Sequence, residues 1–179
     1  MLPGRPAPHL SNALYAVGGV GNGILAASIA SIALWGAEVK VDSYLNFGGN
    51  CEEAFRFYEK HLGAKIQTLM KFSQMPGPAK TPPGMEDGVL HARIVIGDTV
   101  LMASDVPPDR FKPMRSAYLS LAVDSDGDAE RIFALLADGG EVFMPVQETF
   151  FASRFAQLRD KFGTLWMIIH EKPMHAPQG

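Results

Sequence analysis

Cysteine is nearly absent from the 179-residue chain: Cys51 stands alone, so neither an internal disulfide nor a cysteine-based zinc cluster can form. A lone thiol fits a reducing compartment, and the expected location is cytoplasmic. A basic excess is missing too. With 16 Lys and Arg against 19 Asp and Glu the net charge is -3, which leaves nothing surplus to neutralise a phosphate backbone, and no nucleic-acid partner is expected. The chain carries no G-x-S-x-G, P-loop or H-E-x-x-H pattern, so serine hydrolase, P-loop NTPase and zincin chemistry lose their usual support. His61, His170 and His175 fall at no metal-like spacing, and H-x-H and H-x-x-x-H do not occur. What remains is an ordinary globular mixture. Hydrophobic residues make up 47% and charged residues 20%, enough to bury a core in one domain or in two small modules.

Charge is missing locally as well. No Asp, Glu, Lys or Arg lies between Arg5 and Glu38, and 13–37 are mostly small or apolar. Residues 1–38 therefore read as an extension: a mis-assigned start, a membrane anchor, a signal peptide with Arg5 as its only early charge, or a packed helix. Membrane contact, and with it anchoring or export, is expected only through 13–37. The glycines at 18, 19, 21 and 23 do not make a G-x-G-x-x-G loop.

Beyond this extension the pattern turns regular. Residues 41–47 have β-branched and aromatic character, and Asn50 with Glu53 forms a capping-box variant that starts a helix near Cys51. Ala54, Phe57, Tyr58, His61 and Leu62 supply its apolar stripe, and Gly63 stands where a left-handed residue would end it. Residues 64–72 read as a strand, 73–88 as a Pro/Gly-rich loop, and 89–96 with 99–103 as a hairpin turned at Gly97-Asp98. The same order recurs. A strand at 118–123 precedes a second capping box at Ser125 and Asp128, and Ala129, Ile132, Phe133 and Leu136 form a second helical stripe closed by Gly139-Gly140. Strands follow at 141–147, 155–158 and 165–170. Ala54 and Ala129 mark a weak repeat of about 75 residues. The fold class is α+β: two βαβββ modules, 41–103 and 117–170, within a domain spanning 39–172, followed by a tail at 173–179.

Four stretches carry a resemblance: YLNFGGNCEEAFRFY at 44–58 with Leu62-Gly63, HARIVIGD at 91–98 with MASD at 102–105, QETFF at 147–151, and DKFGTLWM at 160–167. Together they resemble the vicinal oxygen chelate superfamily of glyoxalase, bleomycin-resistance and dioxygenase proteins, and within it the PhnB-like group. The resemblance covers about 39–172. It implies curved mixed sheets from paired βαβββ modules around a cavity, a small-molecule ligand, and a homodimer that completes the cavity. Some PhnB-like proteins are named as demethylubiquinone methyltransferases, but no loop for a nucleotide methyl donor stands out here.

Many members of that superfamily hold one divalent metal with His, Glu or Gln from the first and fourth strands of each module. Carried onto this chain, those positions fall on Ser43, Met102, Tyr118 and Met167. None is a useful ligand for a hard or borderline divalent ion, so neither metal nor cofactor is expected. The resemblance instead points to a cavity of apolar walls and few polar groups. Glu148 and His91 are its candidate proton-transfer residues, Glu148 on the expectation that neighbouring aromatics raise its pKa. Gln147, Phe151, Trp166, Met102, Tyr118 and Asp105 are the candidate ligand contacts. Cys51, at a helix start but flanked by Glu52 and Glu53, is expected to be structural. Metal-independent binding of a small molecule is the first expected function; the alternative is an enzyme acting on a small carbonyl or oxygenated substrate.

Overall fold

The computed structural model describes residues 40–77 and 81–173. The extension at 1–38 and residues 174–179 of the tail lie outside the described residues. Two modules follow one another in the order expected. The first contains β1 (Ser43–Phe47), α1 (Cys51–His61), β2 (Lys65–Lys71), β3 (Val89–Ile96) and β4 (Thr99–Asp105). The second contains β5 (Leu119–Ala122), α2 (Asp126–Ala137), β6 (Glu141–Gln147), β7 (Ala152–Arg159) and β8 (Leu165–Glu171). Each forms a four-stranded open sheet, ordered β1-β4-β3-β2 and β5-β8-β7-β6, in which the first strand runs parallel to the last and the others pair antiparallel. A parallel first pair needs a long crossover, and the helix of each module lies on that path.

Side-chain alternation gives each sheet one face toward its helix and one open face. Leu101, Ala103, Ala92 and Ile94 of the first sheet, and Ala156, Leu158, Trp166 and Ile168 of the second, belong to one buried cluster that also takes in Ala54, Tyr58, Ala129 and Leu136. Its large members are almost fully buried, Phe55 and Tyr58 at 0% exposure and Leu136 at 1%, and each such side chain contributes about 1.5–3 kcal/mol relative to exposure.

Two helix expectations need correcting. The buried stripe of α1 is Cys51, Ala54, Phe55 and Tyr58, whereas Phe57 and His61 lie on its half-exposed flank. Helical spacing permits both stripes; the direction of the sheet beneath selects one. Asn50 makes no side-chain cap bond to α1. Its amide donates to the Phe162 carbonyl at 3.3 Å, and the cap comes from the end of β4: Asp105 Oδ1 accepts from the N–H groups of Gly49 (2.9 Å) and Cys51 (3.1 Å). At α2 the local signal holds, since Ser125 Oγ accepts from the Asp128 N–H at 3.0 Å. Gly63, at φ 69°, ends the first helix as expected, and Gly140 is required for room: a Cβ there would lie 2.3 Å from the Arg159 carbonyl oxygen.

Candidate functional site

The open face of the first sheet collects polar and soft groups. Pairing places Tyr44 opposite Met102, Met102 opposite Arg93, and His91 beside Met70, so these side chains share the face turned away from α1. The Tyr44 and His91 rings stack at 6.0 Å between centroids, and the Tyr44 hydroxyl lies 3.5 Å from His91 Nδ1. Arg93 is fixed by its Nε–H, which donates to Gln67 Oε1 at 2.8 Å, while its Nη1 reaches Met102 Sδ at 4.0 Å. Gln67 is the unmatched residue at the irregularity between Ile66 and Thr68, and that register shift is what brings it to Arg93. Ser43 points the other way, paired with Leu101 on the helix side, so the position expected on β1 is off by one residue and Tyr44 is the open-face group. Tyr44 and Arg93 are the two residues the sequence reading missed. Both were accessible to it, because Arg93 stands two residues from His91, and alternation aligned through Met102 selects Tyr44.

In the second module the open face carries Ser120 opposite Met167, with Gln157 and Phe155 beside them. Gln147 pairs with Phe155, which packs edge-on against Phe151 at 5.2 Å. Gln147 and Phe151 thus stand at the rim of this face. Glu148 does not have the environment assigned to it. It is exposed and paired with Lys172 Nζ at 2.5 Å, and that ion pair holds its carboxyl below the ordinary range rather than above it. Tyr118 and Trp166 meet elsewhere, in a cavity of about 520 Å³ between the two modules that Leu101, Leu119 and Leu121 also line.

Three residues prove to be structural anchors. Asp105, expected at the ligand, is 3% exposed and accepts from Val89 N–H at 2.8 Å in addition to its two bonds at the start of α1. Its oxygens are occupied from beneath the open face. Trp166, 1% exposed, donates its Nε1–H to Asp160 Oδ2 at 2.8 Å and packs edge-on against Tyr58 at 5.3 Å, so the indole belongs to the core and only borders the cavity. Asp160 also accepts from the Tyr58 hydroxyl at 2.6 Å and from the N–H groups of Phe162 and Thr164 at 2.9 Å each, which ties α1 of the first module to the β7–β8 turn of the second. Burial, with the Asp160 charge beside it, pushes the Tyr58 hydroxyl well above its usual pKa. Cys51 is fully buried, and burial, with Asp105 and then Glu52 nearby, raises its thiol far above the range in which a thiolate nucleophile works.

This architecture has close counterparts. A model of the glyoxalase/bleomycin resistance protein/dioxygenase superfamily matches residues 40–168. The chain belongs to that superfamily. It is 35% identical over 133 residues to protein YjdN of Escherichia coli (strain K12), an alignment spanning 70% of this chain and 90% of the relative. Among solved structures, protein PA1353 from Pseudomonas aeruginosa is 41% identical with a TM-score of 0.68, covering 75% of this chain and 98% of that one. A PhnB protein from Bacillus cereus, described as a putative 3-demethylubiquinone-9 3-methyltransferase, is 25% identical with a TM-score of 0.65, covering 74% and 99%.

The metal implied by the superfamily's vicinal oxygen chelate name finds no matching donor set. The parallel strand pairs that would supply it present Tyr44 with Met102 in one module and Ser120 with Met167 in the other. A thioether paired with a hydroxyl has little affinity for the borderline and hard divalent ions that imidazole and carboxylate bind. Among the described residues, no group of three or more His, Cys, Asp or Glu is placed to hold a metal ion. Among the same residues, no helix is long and apolar enough to cross a membrane, and 13–37 lie outside them.

Proposed function

We propose that this member of the superfamily binds a small organic molecule on the open faces of its sheets, using side chains in place of a metal. The observation that carries the reading is the Tyr44, His91, Arg93 and Met102 cluster: a stacked aromatic pair, a cation held in place by Gln67, and a polarisable thioether on one face. Such a floor grips a planar or carbonyl-bearing molecule by stacking and by hydrogen bonds to an oxygen. The rim of Gln147 and Phe151 in the second module supplies a matching amide and ring, and a second copy of the chain is the proposed means of bringing first-module and second-module faces together. Native mass spectrometry of the freshly purified protein tests the reading. A bound organic species released on denaturation, and lost in Arg93→Ala and Tyr44→Ala with unchanged melting, is expected; ligand retention in both variants would sink the assignment.

The second reading is catalytic, and the 3.5 Å approach of Tyr44 to His91 favours it: the two form a hydroxyl–imidazole pair able to pass a proton to a substrate oxygen. Glu148 contributes less to that reading, because its ion pair with Lys172 keeps it ionised and weakly basic. Turnover that falls about 10²-fold in His91→Gln, with ligand affinity held, is the outcome that would replace binding by catalysis.

A further inference from the structure

Away from the open face of the first sheet, a groove of about 840 Å³ runs between the β1–α1 loop, the linker joining the modules and the β7–β8 turn. Its lining includes Arg115, Arg159 and Lys161, and no Asp or Glu. That is a local concentration of positive charge in a chain whose net charge is -3. Only Arg159 has an acidic partner, Glu141, at 2.5 Å from its Nη1. Arg115 and Lys161 form no salt bridge among the described residues, and Lys161 Nζ lies instead 5.2 Å above the Phe162 ring, at the groove wall. With Glu141 set against Arg159, the groove keeps two uncompensated positive charges.

Arg159 is the cation set into the groove wall. Arg159 Nε is the one buried side-chain nitrogen or oxygen among the described residues that lacks a hydrogen-bond partner. Its guanidinium is already oriented by Glu141 and by the Phe143 ring, 5.4 Å from its central carbon. That Nε is closed off from solvent, so Arg115 and Lys161 are the cations the groove leaves open to a ligand. The walls are well anchored. A Cβ on Gly48 would lie 3.2 Å from the Phe111 ring, so the linker packs tightly on the β1–α1 loop, and Met114 Sδ accepts from the Leu165 N–H at 3.4 Å beside Arg115. Phe111, Pro113 and Phe162 add apolar surface next to the cations.

We propose that this groove binds the dianionic phosphate group of a small organic molecule, with Arg115 and Lys161 on the phosphate oxygens and the organic part against Phe111 and Phe162. Two free positive charges match a dianion, and a guanidinium fork suits a tetrahedral oxyanion better than it suits a neutral polar group. None of Tyr44, His91 and Arg93 lines the groove, so either assignment can fail alone.

The test uses the full chain with two probes, inorganic phosphate and phenyl phosphate, titrated by calorimetry at low and moderate salt. Phenyl phosphate is expected to bind more tightly than inorganic phosphate, both weakening with salt and both strengthening as pH rises through the second phosphate ionisation near about 6. The Arg115→Gln/Lys161→Gln double variant, which changes only exposed side chains, should keep its melting temperature and lose about tenfold or more in affinity. Absence of binding by either probe at millimolar concentration, or affinity unchanged in the double variant, would overturn the proposal. Loss in Arg93→Ala with none in the double variant would move the anion to the open face and equally overturn it.

Discussion

At the residue scale, the side chains that look most chemical are often those most committed to the fold. Asp160 and Asp105 are buried carboxylates whose oxygens receive four and three hydrogen bonds respectively, from backbone N–H groups and, for Asp160, from Tyr58 and Trp166. Removing such an acceptor strands several buried donors. Asp160→Ala should therefore cost about 3 kcal/mol and Tyr58→Phe about 1 kcal/mol in urea unfolding, and equal, negligible losses would show the network to be ornamental. Cys51 gives a pH prediction. Its folded thiol pKa is raised by burial, and then by Asp105 and Glu52, so the folded chain keeps the proton while the unfolded chain releases it above about 8.5. The contribution is whole below that pH and is lost as pH rises through the alkaline range; Cys51→Ala should flatten that decline, and native Cys51 should resist alkylation at pH 8 until denaturant is added.

At the element scale, the two helices begin in different ways. The N-terminus of α2 is capped by its own Ser125, a local device that sequence spacing reveals. That of α1 is capped by Asp105, 54 residues beyond Cys51, and no local pattern announces it. Ser125→Ala should cost about 1 kcal/mol, while Asn50→Ala should cost less than Asp105→Ala, for which a loss of about 2–4 kcal/mol is expected. Thermal melts of the three variants check the order, and an Asn50→Ala effect as large as that of Asp105→Ala would restore the local cap. The acidic groups at the start of α2 give the pH sign. Asp126, stabilised first by Ser153 and then by His170, and Asp128, stabilised first by Ser125, both have lowered pKa values, so their contribution is present above the ordinary carboxylate range and is lost as pH falls below it.

At the scale of the whole molecule, the two modules share a core but leave apolar surface uncovered. Phe150 is 94% exposed, Val142 44% and Phe143 42%, all in or just after β6 of the second sheet. Apolar groups gathered on one edge favour a second copy of the chain as their cover. Light scattering on residues 39–179 should return a dimer at tens of micromolar, and Phe150→Asp with Phe143→Asp should shift it toward monomer without loss of cooperative melting. The truncated domain should melt like the full chain, because the superfamily match begins only at residue 40; a collapse of cooperativity on truncation would make the extension part of the core. Elemental analysis of the same sample should find no stoichiometric Zn, Ni, Mn or Fe, since hydroxyl and thioether groups stand where those ions need imidazole and carboxylate.

Periodicity determined the elements. Alternation, helical stripes and glycine stops are local properties, so both modules, the Gly97-Asp98 turn, the cap at Ser125 and the stop at Gly63 were legible in the amino-acid order, as was the superfamily. Which face each side chain takes was decided only when strands paired. A register shift of one residue exchanges Ser43 for Tyr44 on the open face, and the bulge that brings Gln67 to Arg93 depends on a partner strand some two dozen residues away. The same holds for charge: Glu148 owes its lowered pKa to Lys172, and the groove owes its cations to the linker folding beside the β7–β8 turn. Electrostatic environment is a property of distances in space, which sequence separation does not report.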